Sequence, residues 1–143
     1  MDASLAAKWI FPESYSQEAL DLLAAQAKAR SRIVAPPLLP IEVTTIVRQR
    51  MVRGGLPLPD ARQRLNRFLS FPVTLAAPLA LHDEALIVAA TYGLPAVYDA
   101  HYLVLAKLLS CDLWTDDRRL LNTLTGKAPF VKWIGHYAPS ATP

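Results

Sequence analysis

Four stretches place a carboxylate at or near the start of a helical pattern, three of them after an apolar strand-like run or its expected place. They are Asp2 in MDASLAAKWIFPE, Glu42 in PPLLPIEVTTIV, Asp99 in AVYDAHYLVLAKL, and Asp117, beside Asp116, in DLWTDDRRLL. Only 19% of the 143 residues are charged, so an acid inside a largely apolar segment is informative. Taken singly, each acid has a plain job. Asp at a helix N-cap satisfies orphan N–H groups, and Glu in a first turn meets the positive end of the helix dipole. Taken together, clustered carboxylates repel unless a cation stands between them. An oxygen-only set without His or Cys suits a hard ion such as Mg²⁺ or Mn²⁺.

The elements that must position these acids alternate along the chain. Helical patterns cover SLAAKWI, ESYSQEALDLLAAQAKAR, LPIEVTTIVRQRMVRGG, LPDARQRLNRFLSF, ALHDEALIVAATYG, the Asp99 segment and DDRRLLNTL. Ser14 and Gln17 fit a capping box, with Leu20, Leu23, Ala24 and Ala27 as the apolar face behind it. Pro40 near a first turn and Gly54-Gly55 at an end bound the third helix. In the fourth, Leu58, Ala61, Leu65, Phe68 and Leu69 share a side. Short apolar runs, RIVAP, PVTLA, DLWT and FVKWI, read as strands between the helices. Such alternation predicts an α/β domain with a parallel sheet. In that architecture the C-terminal strand ends and the helix N-termini share one edge, where ligands bind. The spacing therefore predicts that the four acids meet.

The composition excludes several classes. A hydrophobic fraction of 52% is too high for general disorder. The single cysteine, Cys111, allows no internal disulfide and no thiolate zinc cluster, and reads as a small buried hydrophobe of a reducing cytoplasm. No apolar run reaches the roughly 20 residues that span a bilayer, and the N-terminus lacks the pattern of a signal peptide. A net charge of +3 permits a nucleic-acid partner without demanding one. Walker, dinucleotide-turn and Ser-His-Asp patterns are absent. Arg48, Arg50, Arg53, Arg62, Arg64 and Arg67 fall on two neighbouring helices. They read first as a solvated face and second as phosphate contacts. Arg118 and Arg119, nearer the acids, are better placed for phosphate. His82, His101 and His136 lack metal-ligand spacing, and His101 reads as a local hydrogen-bonding residue. Trp9, Trp114 and Trp133 read as core or interface anchors.

The chain resembles a PIN-domain ribonuclease, a toxin of the VapC type. MDASLAAKWIFPE resembles the family's opening, PPLLPIEVTTIV its glutamate segment, and VYDAHYLVLAKLLSCDLWTDDRRLL its "YDA-x-Y-x-x-LA" helix followed by "T-x-D-x-x-L". The resemblance implies a three-layer α/β/α sandwich with a parallel sheet of about five strands, one domain over residues 1–136 and a frayed tail over 137–143. It implies metal-binding and catalytic roles for Asp2, Glu42, Asp99 and Asp117, and hydroxyl support from Ser4 and Thr115. Asp116 stands where the family has a small residue. The implied activity is Mg²⁺- or Mn²⁺-dependent endonucleolytic cleavage of RNA; Arg118, Arg119 and Arg48, read from charge and position, are the candidate RNA contacts for it. The implied partners are a small VapB-type antitoxin and a second copy in a homodimer. One departure stands out: only Met1 precedes Asp2, where the family carries several apolar residues of a central strand. The expectation is a start codon upstream of Met1, or a Met1 standing for a strand residue. A PIN-fold module that binds without cleaving, or another acid-dependent phosphohydrolase, are the alternatives. Against the latter, aspartyl-nucleophile phosphatases commonly carry DxD after the first strand, whereas this chain carries DAS.

Overall fold

Proline and glycine set limits of the three middle helices. The computed structural model describes residues 1–138. Helix α1 (Ala3–Ala7) is followed by α2 (Ser16–Lys28), strand β1 (Ile33–Ala35), α3 (Leu39–Gly54), α4 (Leu58–Leu69), β2 (Val73–Leu75), α5 (Leu81–Tyr92), α6 (Tyr98–Leu108), β3 (Leu113–Thr115), α7 (Arg118–Thr123) and β4 (Val131–Trp133). A 3₁₀ turn, Ile134–His136, ends the series. Pro40 opens α3, and Gly55 closes it in the left-handed region at φ 65°. Gly93 closes α5 in the same way.

The sheet is where the fold differs from expectation. Four parallel strands are described, in two separate pairs: β1 with β2, and β3 with β4. Met1 lies between the pairs, lining a cavity of about 280 Å³ with Ile33 and Val34 on one side and Trp114 on the other. The Asp2 N–H donates to the Trp114 carbonyl at 3.4 Å, a ladder-like bond to the β3 side alone. Two residues are too few to make a strand of their own. The five-stranded sheet is therefore not what these residues form.

Helix α1 bridges the two halves, packing on both α3 and β3. The core between the layers takes Leu5, Leu39, Val43, Leu81, Leu103, Leu113 and Ile134, all essentially sealed from solvent. Helix α6 is buried nearly throughout, from Ala100 to Ala106, and packs along α5.

Smaller expectations need correction. Ser14 does not cap α2. Its N-cap is Tyr15, left-handed at φ 65°, and Ser16 Oγ ties the turn by accepting from the Glu13 N–H and donating to the Phe11 carbonyl. The buried face of α2 is Ala19 and Leu22, while Ala24 and Ala27 are exposed. Leu58 and Leu69 are exposed at the ends of α4, beyond the reach of the core that takes Ala61 and Phe68. Cys111 is exposed, because the turn through Ser110 (φ 49°) leads it out of the core. Tyr137, assigned to the tail, stacks edge-on to Trp114 at 5.4 Å; tail residues 139–143 lie outside the described residues.

Candidate active site

All four acids line one cavity of about 490 Å³, together with Ala3, Ser4, Ile41, Thr45, Ile46, Gln49, Tyr98 and Tyr102. Each arrives at a helix start, Glu42 and Asp117 after a strand, Asp2 and Asp99 without one. Asp2 is the N-cap of α1, and its Oδ1 accepts from the Leu5 N–H at 3.1 Å and the Ser4 hydroxyl at 2.7 Å. Asp117 is the N-cap of α7, and its Oδ1 accepts from the Arg119 and Leu120 N–H groups at 2.8 and 3.2 Å. Glu42 and Asp99 sit in the first turns of α3 and α6. Capping and cavity-lining are not rival roles here, since the caps of Asp2 and Asp117 both run through Oδ1.

The hydroxyls bind the acid-bearing loops together. Ser4 Oγ also accepts from the Asp116 N–H at 2.9 Å, and Thr115 Oγ1 accepts from the Asp117 N–H at 2.9 Å. Thr115 is fully buried at 0% exposure, so it orients the loop rather than touching a ligand. Tyr102, which sequence reasoning missed, donates its hydroxyl to Glu42 Oε2 at 2.5 Å. The signal was available: Tyr102 lies one helical turn after Asp99 and so shares its face.

The site is short of positive charge. Asp2, 5% exposed, is held above the usual carboxylate range by burial, opposed by the Thr115 and Ser4 hydroxyls and the Leu5 N–H. Burial raises Glu42 as well; the Tyr102 hydroxyl opposes that rise, and the charges of Asp2 and Asp99 add to it. Asp99 is raised by burial, then by Asp117 and Asp2, with Arg119 opposing. Burial, and then Glu42, push the Tyr102 phenol upward, so it stays a donor. The Met1 amine is lowered by burial, which weakens the one cation built into the seam.

No family model matches the chain. Curated relatives do. It is 30% identical over 108 residues to VapC ribonuclease Mb0985 of Mycobacterium bovis, covering 76% of this chain and 83% of the relative. The same figures hold for Ribonuclease VapC9 of Mycobacterium tuberculosis. The chain belongs to the VapC ribonuclease family. The VapC resemblance read from the DAS, glutamate and YDA–TxD segments is thereby borne out.

Within this cavity and around it the predicted residues of the VapC-family chain part ways. Asp2, Glu42, Asp99, Asp117 and Ser4 converge on the cavity. Asp116 turns away: its Oδ2 pairs with Lys8 Nζ at 2.7 Å and its Oδ1 accepts from the Trp133 indole at 3.1 Å. Arg48 is exposed on α3 and is not among the lining residues, where Gln49 stands instead. Arg119 is 94% exposed, 3.7 Å from Asp117. Arg50 and Arg64 of the basic cluster lie over the Phe11 ring. Both are partnered, Arg50 with Glu13 and Arg64 with the Ile10 carbonyl, which favours the structural reading for those two. His101, buried in α6, bonds the Val97 carbonyl at 2.6 Å and His82 at 2.9 Å, the local role expected of it.

A hard divalent cation fits this donor set by type: four carboxylates, with no thiolate or imidazole among the lining residues. Among the described residues, no three His, Cys, Asp or Glu side chains stand close enough together to hold an ion as they are.

Proposed function

We propose that this chain is the toxin ribonuclease of a toxin–antitoxin pair and hydrolyses RNA phosphodiester bonds with a divalent metal ion. The observation that carries the reading is the convergence of Asp2, Glu42, Asp99 and Asp117 on one cavity. The names of the relatives supply the chemistry. Asp2, Asp99 and Asp117 would hold Mg²⁺ or Mn²⁺, with Glu42 either joining them or orienting a water. A bound ion of this kind polarises the scissile phosphate, lowers the pKa of a coordinated water and stabilises the leaving oxygen.

The chain's own groups do the rest. Ser4 and Thr115 fix the directions of Asp2 and of the loop into α7. Tyr102 opposes the upward push of burial on Glu42 and aims its carboxyl. Ile41 and Tyr98, both exposed at the cavity rim, give an incoming ribose or base an apolar surface. Arg118 and Arg119 supply positive charge beside Asp117 for the flanking phosphates.

The same cavity is the natural target of inhibition. A VapB-type antitoxin offering an Arg or Lys side chain would neutralise the acids directly. A homodimer and a cytoplasmic site of action belong to this reading. Among the described residues no helix is long and apolar enough to cross a membrane.

The deciding experiment is cleavage of structured cellular RNA by purified protein with Mg²⁺ or Mn²⁺, with EDTA and Asp99→Asn as controls. Cleavage lost in both controls is the expected result. No cleavage from folded, antitoxin-free protein would overturn it in favour of the non-cleaving binding module.

A further inference from the structure

Consecutive residues line two adjoining cavities. Asp117 faces the acid cavity, while Arg118 lines a second one of about 480 Å³ with Asn122, Thr125, Gly126, Trp133 and His136 among its walls. That volume falls within the roughly 300–1,000 Å³ typical of small-ligand sites. Its charge is the reverse of its neighbour's: one guanidinium and no carboxylate.

The guanidinium is held in place. Arg118 lies flat on the Trp133 ring, 3.5 Å from its centroid. Trp133 is fixed in turn. Its indole N–H donates to Asp116 Oδ1 at 3.1 Å, and its ring packs so closely over Gly135 that a Cβ there would meet it at 2.1 Å. Asp116 is anchored through Oδ2 by Lys8, whose side chain is 3% exposed and whose ammonium also donates to the Ser14 carbonyl at 2.7 Å. A buried lysine, an aspartate, an indole and an arginine thus form one relay that ends at the wall of the second cavity.

We propose that this second cavity binds the RNA nucleotide next to the scissile phosphate, and that Asp116 is a positioning residue that holds Arg118 for the flanking phosphate. Asn122 presents an amide to a base edge, and His136 and the stacked Arg118–Trp133 pair present flat surfaces to a base face. Single-stranded RNA suits the arrangement, since an unpaired nucleotide can splay into a cavity and a duplex cannot. The inference rests on the ribonuclease reading for the neighbouring cavity, but its test is separable.

Binding of a short fluorescein-labelled single-stranded RNA of mixed sequence is measured across a salt series, in an Asp99→Asn background so that nothing is cut. Arg118→Ala is expected to weaken binding by about five- to tenfold and to reduce the slope of log K against log salt by about 0.7, the release expected for one phosphate contact on a single strand. Arg118→Lys keeps the charge but loses the flat stack, and falls between. Asp116→Ala and Trp133→Leu, each checked for folding by thermal melting, are expected to resemble Arg118→Ala in slope, which a merely structural role would not move. In cleaving protein, the Arg118→Ala loss falls on KM more than on kcat.

An unchanged slope and KM in Arg118→Ala, from protein that cleaves, overturns the second cavity and leaves the ribonuclease reading standing. Arg118-dependent binding by protein that never cleaves does the opposite. A normal slope in folded Asp116→Ala overturns the positioning role, and wild-type protein that binds no RNA overturns the whole proposal. Arg118 is exposed, so its variant tests the cavity even where Asp116→Ala fails to fold.

Discussion

Tyr102 reaches across the acid cavity from α6 and donates its hydroxyl to Glu42 on α3 at 2.5 Å, joining the two halves of the molecule at the site itself. It gives Glu42 a neutral donor, as the Ser4 hydroxyl does Asp2, and its own pKa is driven upward, so the proton stays on the tyrosine.

Removing that donor has two effects of known direction. Tyr102→Phe keeps the buried ring but leaves Glu42 without its partner, so Glu42 moves further up. We expect a loss of about 1–2 kcal/mol at neutral pH, read from urea midpoints. Cleavage should fall by about 10- to 100-fold, the usual range for a residue that orients a metal-binding group. Wild-type cleavage by Tyr102→Phe would remove Tyr102 from the site.

Asp99→Asn separates charge from shape. Cleavage should drop by about 100-fold or more while the circular dichroism spectrum is kept. Stability without metal should move the other way. The folded pKa of Asp99 is raised, so its contribution is fully present below the unfolded value of about 4 and is lost as pH rises through the folded value. Metal-free Asp99→Asn should therefore gain on the wild type between pH 4 and pH 7. Parallel stability curves would show that the site is not electrostatically strained.

Divalent ions should reverse that strain. Mg²⁺ or Mn²⁺ is expected to raise the melting temperature of the wild type in a concentration-dependent way, as ligands that bind only the folded state do. The rise should shrink in Asp2→Asn and Asp117→Asn. An equal rise in all three proteins would assign the ion to another place.

Asp116 and Asp117 are neighbours with opposite assignments. Asp116→Ala strips the buried Lys8 of its closest counter-charge and should cost about 3 kcal/mol in urea unfolding. Asp117→Ala removes an N-cap worth about 1 kcal/mol, yet should abolish cleavage. The reverse pattern would exchange their roles.

The chain order of the acids was legible because each rides on a local signal, the start of a helix, which Glu42 and Asp117 reach from a strand, and local signals survive in a linear reading. Helix limits at Pro40, Gly55 and Gly93 were legible for the same reason. What escaped depends on contacts remote in sequence. Nothing near DDRR announces that Asp116 will meet Lys8 and Trp133. The α2 start was misread because Tyr15 adopts a left-handed backbone that its side chain does not advertise. The four strands read from RIVAP, PVTLA, DLWT and FVKWI all form; the single sheet of about five came from the family resemblance, and local patterns are silent on which edges meet.

The gap between the strand pairs gives the site a mechanical character. Glu42 follows β1, Asp99 and Asp117 flank β3, and Asp2 opens α1, so the four acids come from both sides of the break between the strand pairs. A cation seated there would act as a clasp on the two plates, and its release would loosen the spacing of the acids.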